Sequence, residues 1–265
     1  KDYSEKKKHL FQGTSLHIVV VTLRCNQECR YCHAASRPLS EKSYDMDEKT
    51  ARKTVEFIFQ TTSKAITIEF QGGEPLVNFP IVKYIVRYAE QLNVTYSKDL
   101  KFSLVTNLTL MSTEILGFIY EHRIGICTSL DGPKEIHDKN RKISGSGSYS
   151  IVVKWIKRIH DEGKRDINAL MVTTNDSLKY PKEIIEAYRS LGLNKIWFRY
   201  LNRLGFASAS WGNISYTPSQ FLEFWKKGMS ERKLEELLKM IGRDALPELR
   251  RQAKKLSPFI VFARN

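Results

Sequence analysis

The chain has 265 residues, of which 42% are hydrophobic and 11% aromatic. This length and composition suit a globular protein with one substantial core. No apolar stretch reaches the roughly 18 residues that a membrane-spanning helix needs, and the charged segment Lys1–His9 is not followed by a signal-peptide core. We therefore expect no membrane segment and a cytoplasmic location.

The net charge is +14, from 43 basic and 29 acidic residues. Such an excess indicates an anionic partner, either nucleic acid or an acidic peptide. A less specific explanation competes, because the lysines are scattered over predicted helix faces and the excess is concentrated near the two ends, at Lys6–Lys8 and Arg250–Lys255. The chain lacks an initiating Met and stops in an apolar run, so we expect it to be part of a longer protein.

Short apolar runs alternate with amphipathic segments along the chain. The predicted strands are His17–Leu23, Ala65–Gln71, 101–107, Ile124–Leu130, Ile167–Thr173 and Lys195–Leu201. The predicted helices between them are one capped by Asp45 or Asp47, then Ile81–Leu92, Ser112–Tyr120, Ile151–Asp161 and Pro181–Leu191. The first strand, rich in β-branched residues, is expected to be buried on both faces. Six strands alternating with helices predict an α/β fold with a parallel sheet, an open partial (β/α)6 barrel of the TIM type.

The pattern changes beyond Leu201. The segment Thr217–Gln220 has the form of a capping box with proline at the first helical position, and it starts a predicted helix through Trp225. Residues 231–241 and 246–256 are also predicted to be helical. We divide the chain into an N-terminal segment 1–15, a core 16–205 and a C-terminal helical extension 206–265.

Three of the four cysteines lie in the eight residues Cys25–Cys32, directly after the first strand. Thiolates suit either a structural zinc ion or an iron–sulfur cluster, and both normally take four protein ligands. No second cysteine pair follows, and the adjacent His33 is poorly placed to bend back onto the same metal. Three ligands on an iron–sulfur cube leave one iron open for chemistry, so the pattern favours the cluster. A disulfide framework would show an even and more dispersed set.

A second motif, Gly72–Pro75, follows the second predicted strand. Two glycines allow the backbone to approach a ligand closely, and their amides can bind a carboxylate. Glu74 would fix an anion beside them. Taken alone, the tetrapeptide is equally well explained as a loop turn.

Ligands of parallel α/β folds lie at the carboxyl ends of the strands. The residues there are Cys25–Cys32, Gln71–Glu74, Thr106, Asn107, Ser129, Asp131, Thr173–Asn175 and Leu201. Strand alternation puts Glu69 on the same face as Gln71, so Glu69 is a candidate for the substrate pocket, with a structural ion pair as an equal alternative. The fourth cysteine, Cys127, is predicted to be a small core residue.

The spacing C-x-x-x-C-x-x-C with Tyr31 before the last cysteine, followed about 40 residues later by the glycine motif, resembles the radical S-adenosylmethionine enzymes. The resemblance implies a [4Fe–4S] cluster held by Cys25, Cys29 and Cys32, whose open iron is chelated by S-adenosylmethionine. It also implies that Gly72, Gly73 and Glu74 hold the methionyl part of that cofactor. We assign Gln71, Thr106 and Asn107 to the same cofactor site.

The match covers residues 16–201 and is closest to the group that matures peptides and sulfatases; the segment Leu16–Cys25 is similar to the maturases of His-Xaa-Ser peptide systems. In that group a serine on the fourth strand, followed by Asp-Gly, precedes by twelve residues an arginine that contacts the cofactor's carboxylate. Ser129 and Arg141 have these offsets here, and Tyr31 and Leu201 would pack against the adenosyl moiety. One departure is that no cysteine follows Cys127, where these relatives carry ligands of auxiliary clusters. Either the chain is cut short or its electron path differs.

The resemblance implies reductive cleavage of S-adenosylmethionine to a 5′-deoxyadenosyl radical that takes hydrogen from a precursor peptide or protein. The electron would come from a donor such as ferredoxin or flavodoxin. Glu69 and Asp131 are the in-chain candidates for a general base. Two alternatives are a radical enzyme that modifies RNA, suggested by the charge, and a non-catalytic module that binds iron–sulfur or zinc.

Overall fold

The computed structural model describes residues 13–163, 167–193 and 195–228. Its main feature is a six-stranded sheet built from β1 (Leu16–Thr22), β3 (Ala65–Gly72), β4 (Asp99–Thr106), β5 (Gly125–Ser129), β8 (Ile167–Val172) and β9 (Ile196–Arg199), in that spatial order. Neighbouring strands are parallel where β1 meets β3, β3 meets β4 and β8 meets β9. The predicted α/β fold with an open sheet of six parallel strands is confirmed.

Helices lie between these strands and after the last of them. They are α1 (Glu48–Phe59), α2 (Phe79–Tyr96), α3 (Thr113–Glu121), α4 (Lys134–Asn140), α5 (Tyr149–Glu162), α6 (Pro181–Arg189), α7 (Phe206–Ala209), α8 (Trp211–Ile214) and α9 (Pro218–Gly228). Asp47 caps α1, since its side chain accepts a hydrogen bond from the Thr50 amide at 2.7 Å. The capping box of α9 is confirmed, because the Gln220 amide donates to Thr217 Oγ1 and the Thr217 amide donates to Gln220 Oε1.

A second, three-stranded sheet was not predicted. It consists of β2 (Glu28–Cys29), β6 (Arg141–Ile143) and β7 (Ser146–Gly147), and its strand pairs are antiparallel. In this sheet Cys29 pairs directly with Arg141. Strands of two or three residues carry too few side chains to show an alternating pattern, so no sequence signal marks them.

The chain divides into two compact units. Of the described residues, the first comprises 13–26, 34–127, 162 and 163, and the second comprises 27–33, 128–161, 167–193 and 195–228. In the first unit, one face of β3 carries Ile66, Ile68 and Phe70, which are fully buried together with Val55 of α1 and Ile85 of α2. In the second unit the buried residues include Ile156 of α5, Met171 of β8, Tyr188 of α6 and Phe224 of α9. Each unit therefore buries an apolar face of its strands together with apolar helix residues.

The first strand differs from its prediction. Leu16, Ile18 and Val20 of β1 are 49%, 55% and 45% exposed, whereas Val19 and Val21 on the opposite face are buried. An apolar and β-branched sequence therefore does not ensure burial on both faces of a strand. The prediction of a strand buried on both faces is wrong.

The domain boundaries at residues 15 and 205 stay predictions. The helices expected at 231–241 and 246–256 lie outside the described residues, whereas α7, α8 and α9 occupy the start of the predicted extension. Within the described ranges, no helix combines the length and the apolar character needed to cross a membrane.

Candidate functional site

In the first unit, Asn107 is directed at the first cysteine of the loop. It follows β4, and its Nδ2 atom lies 3.8 Å from Cys25 Sγ and donates to Asn26 Oδ1 at 3.0 Å. Its Oδ1 atom accepts hydrogen bonds from the amide and the hydroxyl of Thr109, at 2.9 and 2.6 Å. The side chain thus uses both ends, and its amide nitrogen is held beside a cysteine sulfur.

The glycines of the second motif pack against the chain that leads into the cysteine loop. The Gly73 amide donates to the Thr22 carbonyl at 2.9 Å. A Cβ atom on Gly73 would lie 2.3 Å from the Arg24 carbonyl oxygen, and one on Gly72 would lie 2.1 Å from that of Thr22. Only glycine fits such an approach. The expected close approach of backbone is present, but its partner in this structure is the protein's own main chain, and a cofactor contact of Gly72 and Gly73 stays a prediction.

Glu74 is 1% exposed and bonded entirely to protein groups. Its carboxylate accepts from Thr106 Oγ1 at 2.6 Å, from the Asn107 amide at 2.7 Å and from the Leu76 amide at 3.1 Å. Burial raises the pKa of Glu74 to about 7, against the opposite effect of these three hydrogen bonds. The side chain therefore ties the end of β3 to the end of β4, and its predicted contact with the cofactor stays a prediction.

Glu69 and Gln71 lie on the half-buried face of β3, as the strand alternation predicted. Gln71 Nε2 donates to Glu69 Oε1 at 2.5 Å. Glu69 thus has a neutral hydrogen-bond partner on its own strand. The roles of Glu69 as a base and of Gln71 at the cofactor stay predictions.

In the second unit, Arg141 occupies the position opposite Cys29 in the small sheet. It is 6% exposed, and its Nε atom donates to Asp131 Oδ2 at 3.2 Å. Its Nη1 atom lies 3.8 Å from Cys29 Sγ, and the guanidinium carbon lies 5.2 Å from the centre of the Tyr31 ring. Arg141 is thus buried among charged and aromatic partners.

The Asp131 carboxylate accepts hydrogen bonds from four donors. Its Oδ2 atom accepts from the Tyr31 hydroxyl, from Asn140 Nδ2 at 3.2 Å and from Arg141, while Oδ1 accepts from the Val172 amide at 3.3 Å. The residue is completely buried. A general base must reach its substrate's proton, directly or through one water. The role of Asp131 as a general base stays a prediction, and in this structure its carboxylate holds Tyr31, Asn140 and Arg141.

The electrostatics of this cluster follow from burial and from the ion pair. Burial raises the pKa of Cys29 to about 11, although Arg141 acts in the opposite direction. Burial also raises the pKa of Tyr31, and Arg141 again opposes this. For Arg141 burial favours the neutral form, but Asp131, Tyr31 and Cys29 together more than offset this, and the pKa of Arg141 is raised. Arg141 is thus a permanent cation beside the Cys29 sulfur.

The remaining predicted residues are spread over strand ends. Thr106 is buried, donates to Glu74 and accepts from the Leu108 amide at 3.0 Å. Ser129 is half-buried at the end of β5. Leu201 is 2% exposed, and its amide donates to the Tyr216 hydroxyl at 2.9 Å. None of the contacts of Ser129 and Leu201 tests their predicted roles at the cofactor, which stay predictions.

Sequence reasoning missed three supporting residues of the second unit. Asn140 donates to Asp131, and the buried His137 bonds the Asp131 amide through Nδ1 and Ser148 Oγ through Nε2, at 3.3 and 2.9 Å. Burial lowers the pKa of His137 to about 4, so the imidazole is neutral. The spacing of nine or ten residues from Asp131 to Asn140 and Arg141 spans a helix and a strand start, and no secondary-structure period links such positions.

The comparisons with known proteins agree with this arrangement. Residues 19–190 match the family model of the Radical SAM superfamily. Because the match covers more than half of the chain, this chain belongs to the radical SAM superfamily, whose enzymes use a [4Fe–4S] cluster and S-adenosylmethionine. The predicted family, enzyme class and cofactors are thereby confirmed, and the alternative of a non-catalytic module is wrong.

Individual proteins of known sequence are also similar to this chain. The chain is 31% identical over 193 residues to an uncharacterised protein of Methanocaldococcus jannaschii, covering 72% of this chain and 64% of that protein. It is 28% identical over 220 residues to a cysteine-type anaerobic sulfatase-maturating enzyme of Clostridium perfringens, covering 80% of this chain and 58% of the enzyme. The chain therefore spans less than two thirds of the length of these curated relatives.

Solved structures share the fold. The structure of anSMEcpe with bound AdoMet superimposes with a TM-score of 0.69 at 23% identity, over 81% of this chain and 59% of that one. The structure of Streptococcus suis SuiB bound to the precursor peptide SuiA gives a TM-score of 0.66 at 14% identity, over 88% of this chain and 49% of SuiB. At these identities the likeness is one of fold.

The cysteine loop has the metal-binding groups that an iron–sulfur cluster needs. None of the four cysteines forms a disulfide, and Cys25, Cys29 and Cys32 are all partly exposed. Two of their sulfurs have a nearby nitrogen donor, which would favour the thiolate form that a metal centre binds. Among the described residues, no three His, Cys, Asp or Glu side chains form a group that could hold one metal ion. An iron–sulfur cube has several iron atoms, so its cysteine ligands need not meet at a single point.

Proposed function

We propose that this chain is the catalytic core of a radical enzyme that removes a hydrogen atom from a peptide or protein substrate. The observation that carries the proposal is the cysteine loop Cys25–Cys32 with two sulfurs beside fixed nitrogen donors, in a chain of the radical SAM superfamily. The peptide substrate is supported by the relatives, which include sulfatase-maturating enzymes and SuiB with its precursor peptide. The finer likeness to His-Xaa-Ser maturases stays a prediction.

In this proposal Cys25, Cys29 and Cys32 are the three protein ligands of the cluster. When bound, the cluster and S-adenosylmethionine supply a 5′-deoxyadenosyl radical once one electron is delivered. The chain's own groups bind and orient these cofactors. Gly72 and Gly73 set the path of the chain before the cysteine loop, and Asp131 keeps Tyr31 in place. Ser129 and Leu201 are proposed to contact S-adenosylmethionine.

Two further proposals concern the cell. The electron comes from a low-potential protein donor such as a ferredoxin or flavodoxin. Because thiolate-ligated clusters need a reducing compartment, we place the protein in the cytoplasm.

The first experiment measures cofactor cleavage. The chain is reconstituted anaerobically with iron and sulfide, S-adenosylmethionine and dithionite are added, and 5′-deoxyadenosine is quantified by mass spectrometry. We expect Cys29→Ala to lose the product and Cys127→Ala, the same change outside the loop, to keep it. Equal loss in both variants, or no product from a chain with a full cluster, would contradict the proposal.

The second experiment identifies the substrate class. Pools of synthetic peptides deuterated on carbon are compared with RNA oligonucleotides deuterated on the ribose, and deuterium in the 5′-deoxyadenosine is measured. We expect transfer from a peptide pool. Transfer from RNA, together with RNA binding that weakens steeply as salt is raised, would support the alternative that the net charge of +14 suggested.

A further inference from the structure

Two of the three cysteines in the loop have a nitrogen donor aimed at the sulfur. In the first unit this is Asn107 Nδ2, 3.8 Å from Cys25 Sγ, and in the second unit it is Arg141 Nη1, 3.8 Å from Cys29 Sγ. One donor is a neutral amide and the other is a cation. Neither contact belongs to a role assigned to these residues above, since both were predicted to contact S-adenosylmethionine.

Asn107 is held in this position by its other hydrogen bonds. Its carbonyl oxygen accepts twice from Thr109, and its amide nitrogen also donates to Asn26. Its main-chain amide donates to the buried carboxylate of Glu74. With main chain and side chain both bonded, the nitrogen donor cannot turn away from Cys25 without breaking several hydrogen bonds.

Arg141 is held still more firmly. Its main chain is paired with Cys29 in the small sheet, its Nε atom is bonded to Asp131, and the planar group lies over the Tyr31 ring. A guanidinium is rigid and planar, so fixing Nε and the plane also fixes the direction of Nη1. Asp131, which also receives Tyr31 and Asn140, therefore orients the group that faces the Cys29 sulfur.

Hydrogen bonds and positive charge at cluster sulfurs affect the reduction potential. Adding one electron makes the cluster more negative, so donors at the sulfurs stabilise the reduced form more than the oxidised form. Radical formation begins with this reduction, and the electron comes from a one-electron reductant. No bond to the protein forms or breaks in the step.

We propose that Asn107 and Arg141 are positioning residues that raise the reduction potential of the cluster through hydrogen bonds to Cys25 and Cys29. The inference rests on the proposed function, in which these cysteines hold the cluster. It gives Arg141 a contact with a ligand sulfur, beside the contact with the cofactor's carboxylate that the sequence predicted. Asp131 acts one step further away, by orienting Arg141.

The test is a redox titration of the reconstituted chain without S-adenosylmethionine, followed by electron paramagnetic resonance of the reduced cluster. Asn107→Asp keeps the oxygen that accepts from Thr109 and removes the nitrogen donor. Asn26→Asp is its matched control, because it also adds a carboxylate next to Cys25 but leaves the Asn107 donor in place. We expect the ratio of reduced to oxidised cluster at a fixed potential to fall about tenfold further in Asn107→Asp than in Asn26→Asp, a shift of about 59 mV.

The second pair of variants addresses Arg141. Arg141→Lys keeps the charge but cannot bond Asp131 and the sulfur together, because an ammonium lacks the planar fork. Arg30→Lys makes the same change one residue from Cys29, at a side chain that pairs with Asp176 at 3.0 Å. We expect a lower potential in Arg141→Lys and a potential close to that of the parent chain in Arg30→Lys.

The outcomes separate the inference from the function on which it rests. Absence of a cluster in the parent chain would overturn both. A cluster whose potential is the same in Asn107→Asp and Asn26→Asp would overturn the inference alone, and this pair remains decisive if Arg141→Lys fails to fold. An Arg141→Lys chain with unchanged potential but weaker binding of S-adenosylmethionine would also overturn it, and would support the carboxylate clamp that the sequence predicted.

Discussion

The two units hold the chain around their cysteines by different means. In the first, the main chain of Gly73 packs on that of residues 22–24, and the buried Glu74 is bonded to a hydroxyl and two amides. In the second, the buried Asp131 is paired with the cation of Arg141. The first network bonds the Glu74 carboxylate to neutral groups and needs close backbone packing, whereas the ionic cluster of the second unit depends on Arg141 for its counter-charge. The two arrangements should therefore fail under different changes.

The largest effect is expected from Arg141→Met. The change leaves the carboxylate of Asp131 buried without its cation, which costs about 3 to 5 kcal/mol of the free energy of unfolding. The measurement is urea unfolding followed by circular dichroism. Arg30→Met is the control, since its ion pair with Asp176 is partly exposed and should cost less than about 1 kcal/mol.

A double variant sharpens this expectation. If the cost of Arg141→Met comes from the unpaired charge, Asp131→Asn in the same chain should recover part of it, because the amide has no charge to bury. Equal stability of the single and double variants would mean that the cost is one of packing around Tyr31. The ionic description of the second unit would then be wrong.

The first unit should respond to pH. The pKa of Glu74 is about 7 in the folded chain, against an ordinary value of 4.5. Between these pH values the folded chain binds a proton that the unfolded chain does not. The contribution of this proton to the free energy of unfolding is therefore fully present below about pH 4.5 and is lost as the pH rises through 7. The loss amounts to about 3 kcal/mol.

Glu74→Gln tests this, because glutamine does not ionise. We expect the parent chain to lose more unfolding free energy than the variant between pH 5 and pH 8, as measured by urea unfolding at both values. If the parent chain and the variant lost the same unfolding free energy, the three hydrogen bonds to Glu74 would compensate its burial completely.

The sequence was sufficient for the features that depend on local patterns. β-branched runs and helical stripes predicted the six main strands and the helices between them except α4, and the rule that ligands collect at strand ends directed attention to Cys25–Cys32, Glu74 and Asp131. It was insufficient where partners come from distant residues. The same apolar pattern that predicts a strand does not say whether both faces of β1 are buried, and the pairing of Cys29 with Arg141 depends on strands too short to have a period.

The smallest expected effect concerns the glycine that brings β3 against the main chain before the cysteine loop. Gly73→Ala would place a Cβ atom 2.3 Å from the carbonyl oxygen of Arg24 and 2.5 Å from that of Leu23. Backbone atoms cannot move aside as a flexible side chain does, so we expect a loss of about 1 to 3 kcal/mol in urea unfolding. Gly117→Ala is the matched control, because Gly117 lies within α3 and, its own helix backbone aside, no atom of the described residues lies within 4 Å of an added Cβ atom. There alanine should stabilise the chain by up to about 1 kcal/mol, since glycine is a poor helix former.

If both variants lost the same stability, the close main-chain contact would have no special cost. The first unit would then depend on the hydrogen bonds of Glu74 alone.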